Sequence, residues 1–125
     1  MYVIPRDTQP ESALPGLAHR TLAGRAQGLR SLSVWRQTIE PGGATPPHRH
    51  DCEEVVVVEQ GRGRLLIGGE AHDFEAGCAL VVPRNADHQI VNSGSEPLTL
   101  TAAFSMTPVQ VHLPDGSELA LPWAS

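Results

Sequence analysis

Seven short runs rich in β-branched and apolar residues occupy most of this chain: SLSVWRQTI, EVVVVE, GRLLIG, CALVV, HQIV, LTLTAAF and VQVHL. Turn-forming segments cut them apart: EPGG, EQGRG, GGE, EAG, PRNAD, NSGSEP and LPDGS. No other feature constrains the fold as much. Strands this short, closely spaced and punctuated by Gly, Pro and Asn, close into an all-β barrel or sandwich. Gly68-Gly69 is a tight-hairpin signal, because glycine accepts the positive φ of such turns. No stretch sustains a 3.6-residue apolar period, so helix is expected to be scarce. The 125 residues suit one domain with a real core. Residues 1–30, broken by Pro5, Pro10, Pro15, Gly16, Gly24 and Gly28, read as an N-terminal arm with one or two edge strands, and residues 31–125 as the barrel.

Composition removes several function classes. A formal net charge of -5 disfavours nucleic acid, whose phosphates demand clustered positive charge. The basic residues are all arginine, which excludes Schiff-base chemistry and a Walker-type phosphate loop. No apolar run approaches the ~18 residues of a membrane helix. The start MYVIPRDTQPES lacks a basic stretch followed by an apolar one, so the expected location is the cytoplasm. Cys52 and Cys78 are expected to be free thiols.

Within PPHRHDCEEVVVVEQG, His48 and His50 share one side of an extended chain, because side chains alternate along a strand. Alternation carried on from His50 puts Glu54, Val56 and Val58 on that side too. His88 opens a separate run, HQIV. Three imidazoles and one carboxylate make a mixed N/O site that suits one divalent transition metal, Mn, Fe, Co, Ni, Cu or Zn, rather than Ca or Mg. Cys52 is expected to point away, so no thiolate ligand is expected. His19, His72 and His112 lack a patterned partner and read as ordinary hydrogen-bonded residues. Ligation by imidazole requires neutral rings, so metal loss is expected as pH falls through about 6 to 5.

These residues resemble the two motifs of the cupin family. The first is Gly42, GATPP, His48-Arg49-His50, DCE, Glu54, VVVVEQ, Gly61. The second is Gly77, CALVV, Pro83-Arg84-Asn85, AD, His88, QIV, Asn92, with Asn85 where the family has glycine. Asn tolerates the left-handed turn that this position demands. The resemblance implies a double-stranded β-helix of jelly-roll type, a metal held by His48, His50, Glu54 and His88, and a structural role for Asn92. It also implies a homodimer, with the N-terminal arm as a docking element.

Trp35 and Phe104 are candidates for the barrel mouth or the core, and Gln37 and Ile90 for the pocket wall. Arg36, Arg62, Arg64 and Arg84 offer bidentate recognition of a carboxylate, although Arg62 and Arg64 share a strand face that suits solvent. The C-terminal Leu-Pro-Trp is expected to cap this barrel or a neighbour. The leading functional expectation is a metal-dependent enzyme acting on a small polar metabolite, with dioxygenase, isomerase or lyase chemistry. The alternatives are a small-ligand binding or sensing module and a metal-stabilised structural barrel.

Overall fold

The computed structural model describes residues 2–125. Nine strands run in order: β1 (Glu11–Leu14), β2 (Leu17–Ala23), β3 (Ser33–Ile39), β4 (Glu54–Gln60), β5 (Arg62–Ile67), β6 (Glu70–Glu75), β7 (Ala79–Val82), β8 (His88–Asn92) and β9 (Leu98–Phe104). Helix among the described residues is confined to single 3-10 turns at Arg6–Thr8 and Arg25–Gln27. The strands form a six-stranded sheet, β1-β2-β3-β9-β4-β7, packed against a three-stranded sheet, β6-β5-β8. All pairings are antiparallel. This is the expected all-β jelly roll.

Alternation places the core between the sheets. On β4, Glu54, Val56 and Val58 are buried while Val55 and Val57 face outward. Register then builds inward rows across the large sheet. Thr21, Trp35, Ala102, Val56 and Leu80 lie opposite one another in turn. The next row toward one barrel end is Ser33, Phe104, Glu54 and Val82. Glu54 is therefore an inward residue at the rim of the core, not its centre. The segment 11–23 of the arm forms β1 and β2, and β2 pairs with β3 of the same chain from Leu17 to Ala23.

The turns follow their residues. Gly68 and Gly69, at φ 62° and 75°, make a two-residue turn between the paired Ile67 and Glu70. Asn85 takes φ 62°, the left-handed conformation that glycine adopts most easily, and its N–H donates to the His50 carbonyl at 2.8 Å. Asn92 donates through Nδ2 to the Ile39 and Glu96 carbonyls at 2.9 and 2.8 Å, tying the end of β8 to the end of β3 and to the turn before β9.

Gly63 marks the tightest approach in the small sheet. A Cβ there would lie 2.5 Å from the Val91 carbonyl oxygen and 2.7 Å from Phe74 Cζ. Backbone cannot yield as a flexible side chain can, so Gly63→Ala is expected to cost about 2 kcal/mol and lower the melting temperature by roughly 5–10 °C. Thermal denaturation followed by circular dichroism checks this, and an unchanged melting temperature would contradict it.

Candidate metal centre

The loop after β3 brings the first two histidines to the barrel mouth. The backbones of His48 and His88 exchange hydrogen bonds of 3.0 and 2.8 Å, so the loop pairs with the start of β8. Arg49 faces the other way and exchanges hydrogen bonds of 2.8 and 2.9 Å with His112. The motif is thus held on both sides. The side chains of His48, His50, Glu54 and His88 are all buried.

Each imidazole is oriented by its own backbone acceptor. Nδ1 of His48 donates to the Pro46 carbonyl at 2.7 Å, Nδ1 of His50 to Gln110 at 2.9 Å, and Nδ1 of His88 to Ala86 at 2.9 Å. A carbonyl oxygen only accepts, so each ring in its neutral form carries its proton on Nδ1. The Nε2 lone pairs are left free, which is the tautomer a metal requires. One nitrogen from each of the three rings lies within 4.8 Å of one from the others. Glu54 Oε1 completes the group, 3.3 Å from His88 Nε2 and 3.6 Å from His50 Nε2.

These atoms fit a cation. His50 Nε2, His88 Nε2 and Glu54 Oε1 are buried with no aligned hydrogen-bond partner. Buried polar atoms left unpaired cost about 1–3 kcal/mol each, and one divalent ion would satisfy all three.

The electrostatics also favour neutral rings. Burial, reinforced by the charges of His88 and His50, pushes His48 down to about 3. Burial likewise lowers His50, against the opposing pull of Glu54. At His88 burial again pushes downward, but the adjacent Glu54 carboxylate, with the Ala86 carbonyl and Asp87, outweighs it and the net shift is upward. His88 is therefore where a proton and a metal compete most directly.

Residues 50, 52 and 54 share parity, yet Cys52 is a free thiol, 1% exposed, that does not join the histidines. The chain bends at Asp51–Cys52, and the thiol packs into the hydrophobic core outside the three-histidine group. Burial, with Glu54 nearby, raises its pKa and keeps it a neutral thiol.

The histidines and Glu54 form one end of a cavity of about 50 Å³. Trp35, Gln37, Ile90 and Phe104 line it, and no arginine does. Arg36, Arg64 and Arg84 instead form surface pairs with Glu59, Asp73 and Asp51, and Arg62 is exposed. The sequence suggests a cap from Leu121-Pro122-Trp123 but does not place Leu119, Leu121 and Trp123 in the cavity wall, which they close from the C-terminal segment. Their every-other-residue spacing in ELALPW was the available signal. The segment caps this chain's own barrel.

His19 helps to hold that cap. Its ring stacks on Trp123 at 3.8 Å and 8°. Gln37 Nε2 donates to His19 Nδ1 at 3.0 Å, so His19 Nε2 carries the proton and donates to Thr21 Oγ1 at 2.8 Å. Thr21 in turn donates to the Ala124 carbonyl at 2.8 Å. Burial lowers the His19 pKa to about 4, which preserves this direction. His72 stays exposed beside Glu70.

The description "Cupin domain" matches residues 35–104, more than half of the chain, and both histidine motifs from His48 onward fall inside that span. The chain belongs to the cupin family. This cupin is 37% identical over 109 residues to auxin-binding protein 1 of Arabidopsis thaliana, a match covering 79% of this chain and 55% of that protein. It is 37% identical over 87 residues to the dimethylsulfoniopropionate lyase DddW of Ruegeria pomeroyi, covering 69% of this chain and 57% of the lyase. The cupin thus spans little more than half the length of these relatives. The polyketide cyclase RemF of Streptomyces resistomycificus superposes with a TM-score of 0.74 at 22% identity, over 87% of this chain and 83% of the cyclase. At that identity the likeness shows the fold alone.

The pKa shifts set a pH dependence. His48 and His50 are depressed on folding, so their contribution to stability is complete above about 6.5 and drains as pH falls toward the folded values. His88 is raised, so its contribution has the opposite sign: present below about 6.5 and lost as pH rises through its folded value. Two of three act together, and the metal-free protein is expected to lose thermal stability between about pH 6.5 and 4. Added zinc should raise the melting temperature at about pH 7.5 and not at about pH 4.5, where proton competition prevails. An equal zinc effect at both values would remove imidazole from the ligand set.

Proposed function

We propose that this cupin holds one divalent transition metal on His48, His50, Glu54 and His88 and uses it to bind a small organic anion with an apolar body. The observation that carries the reading is the set of unpaired Nε2 atoms, fixed in tautomer, opening onto a largely apolar cavity. The metal would supply a Lewis-acid site for a carboxylate or similar oxygen group. The donor set is compatible with Mn, Fe, Co, Ni, Cu or Zn.

The cavity wall shapes the expected ligand. Trp35, Ile90, Phe104, Leu119 and Trp123 supply hydrocarbon, while Gln37 and Thr45 are the uncharged polar side chains in the wall. A highly hydroxylated metabolite would leave most of its groups unpaired there. About 50 Å³ admits roughly three or four water-sized groups, enough for an oxygen group at the metal. A longer body takes the space now held by Leu119, Leu121 or Trp123. Several relatives bear the name auxin-binding protein, which supports a ligand-binding role.

Turnover is the second reading, and it keeps the enzyme expectation in view. It is favoured by the likeness to a lyase. Among the cavity-lining residues, Glu54 is the carboxylate available to take a proton, beside the imidazoles. Every proton-transfer candidate is thus also a proposed ligand, and for that reason binding ranks first.

Metal analysis and tryptophan fluorescence test both parts. The chain has two tryptophans and both line the cavity, so ligand binding there should change the emission. Protein purified without chelator should carry close to one metal per chain. Phenylacetate or hexanoate should quench the metal-loaded protein and bind the metal-free form at least about tenfold more weakly. His50→Ala should lose the metal while keeping the β-sheet spectrum. No metal after reconstitution, or equal carboxylate binding with and without it, would overturn the proposal. Release of product from a carboxylate substrate would promote the second reading.

A further inference from the structure

The C-terminal segment that caps the cavity beside the histidines also borders a second, larger one. This outer cavity holds about 560 Å³. It shares Val111, Leu119, Leu121 and Trp123 with the inner cavity, so a partition of side chains separates the two. Its size falls within the ~300–1,000 Å³ typical of small-molecule sites. Its wall is largely apolar, with Pro108 and Val109 beside the shared residues. The 3-10 turn Arg25–Gln27 contributes all of its residues to that wall.

The polar groups of the outer wall are not equivalent. Thr21 is engaged twice, donating to the Ala124 carbonyl and accepting from His19. Ser125 Oγ accepts the Val109 N–H at 2.8 Å. Gln27 Oε1 accepts the Gly24 N–H at 2.8 Å, which fixes the amide and leaves Nε2 as a donor without a partner. Arg25 is exposed and has no ion pair or side-chain hydrogen bond among the described residues. Arg20, Arg36, Arg49, Arg64 and Arg84, by contrast, each meet a carboxylate. Two unpaired donor groups, one of them cationic, thus stand on one turn beside an apolar wall.

We propose that this outer cavity is a second binding site, for a small monoanionic amphiphile. Its oxyanion meets Arg25 and Gln27, and its hydrocarbon body packs on Val109, Leu119, Leu121 and Trp123. Charge complementarity selects the head. A guanidinium offers paired N–H donors that match the oxygens of a carboxylate, sulfonate or phosphate, and the Gln27 amide adds another. Glu118 lies on the same wall and is not paired with Arg25, so its negative charge disfavours a dianion. The wall selects the body, because a heavily hydroxylated ligand would leave its groups unpaired against leucine and valine. The site uses none of the proposed metal ligands, and it stands or falls apart from the reading of the histidines.

Fluorescence of anilinonaphthalene sulfonate on the full chain, stripped of metal by chelator, tests this. The dye joins an aromatic body to a sulfonate, and Trp123 in the wall can transfer energy to it. Binding should saturate at one dye per chain. Arg25→Gln should weaken it at least about tenfold. Ala120→Phe should abolish it, because Ala120 is exposed, borders the outer cavity and does not line the inner one. Arg64→Gln, on the small sheet, should change nothing. Uncharged N-phenylnaphthylamine should bind the wild type and Arg25→Gln alike, and zinc should leave dye binding unchanged. No saturable binding up to about 100 µM dye overturns the proposal. So does binding that Ala120→Phe removes and Arg25→Gln leaves intact, since the cavity would then not recognise an anion. Binding by the zinc-loaded protein alone would place the dye at the histidines, overturning the outer site while supporting the metal.

Discussion

Three hydrogen bonds from imidazole to backbone carbonyl organise the candidate metal centre. Pro46, Ala86 and Gln110 supply the acceptors, and they lie on three different segments of the chain. Each bond fixes both ring angle and tautomer, so the free nitrogens converge only when the barrel has closed around them. The backbone pairing of His48 with His88, and of Arg49 with His112, brings those segments into place. Glu54 arrives separately, as the first inward residue of β4. The result concentrates unpaired polar atoms in a buried spot, an arrangement the surrounding core must stabilise and a cation would satisfy.

The rest of the cavity determines what such an ion could meet. Low polarity around a charged centre strengthens its attraction for an anion, because little water remains to screen it. The closure is made by the two ends of the described chain. His19 on β2 stacks on Trp123, and Thr21 holds the backbone at Ala124. The N-terminal hairpin thus supports the C-terminal cap, and the cap limits the space beside the histidines.

Much of this was legible from local pattern. The spacing of His48, His50 and Glu54 carries the strand period, and His88 opens its own run, so one side of the barrel could be named. Gly68-Gly69 announced its turn, and Asn85 adopts the left-handed conformation its position required. Cys52 shows the limit of such reading. Its parity matches His50 and Glu54, yet the bend at Asp51–Cys52 sends the thiol into the core rather than to the histidines. His19 shows another. Nothing near it in sequence hints at a buried role, because its stacking partner is Trp123, far along the chain.

The sequence by itself determined the class of fold, the positions of the turns and the kinds of metal ligand available. Those features arise from alternation and backbone preference, which act over a few residues. Tertiary structure decided which nitrogen of each histidine faces inward, how apolar and how small the cavity is, and which valines remain outside. These depend on segments remote in sequence becoming neighbours. Burial and hydrogen bonding are properties of that packing, so they exist only once the barrel closes.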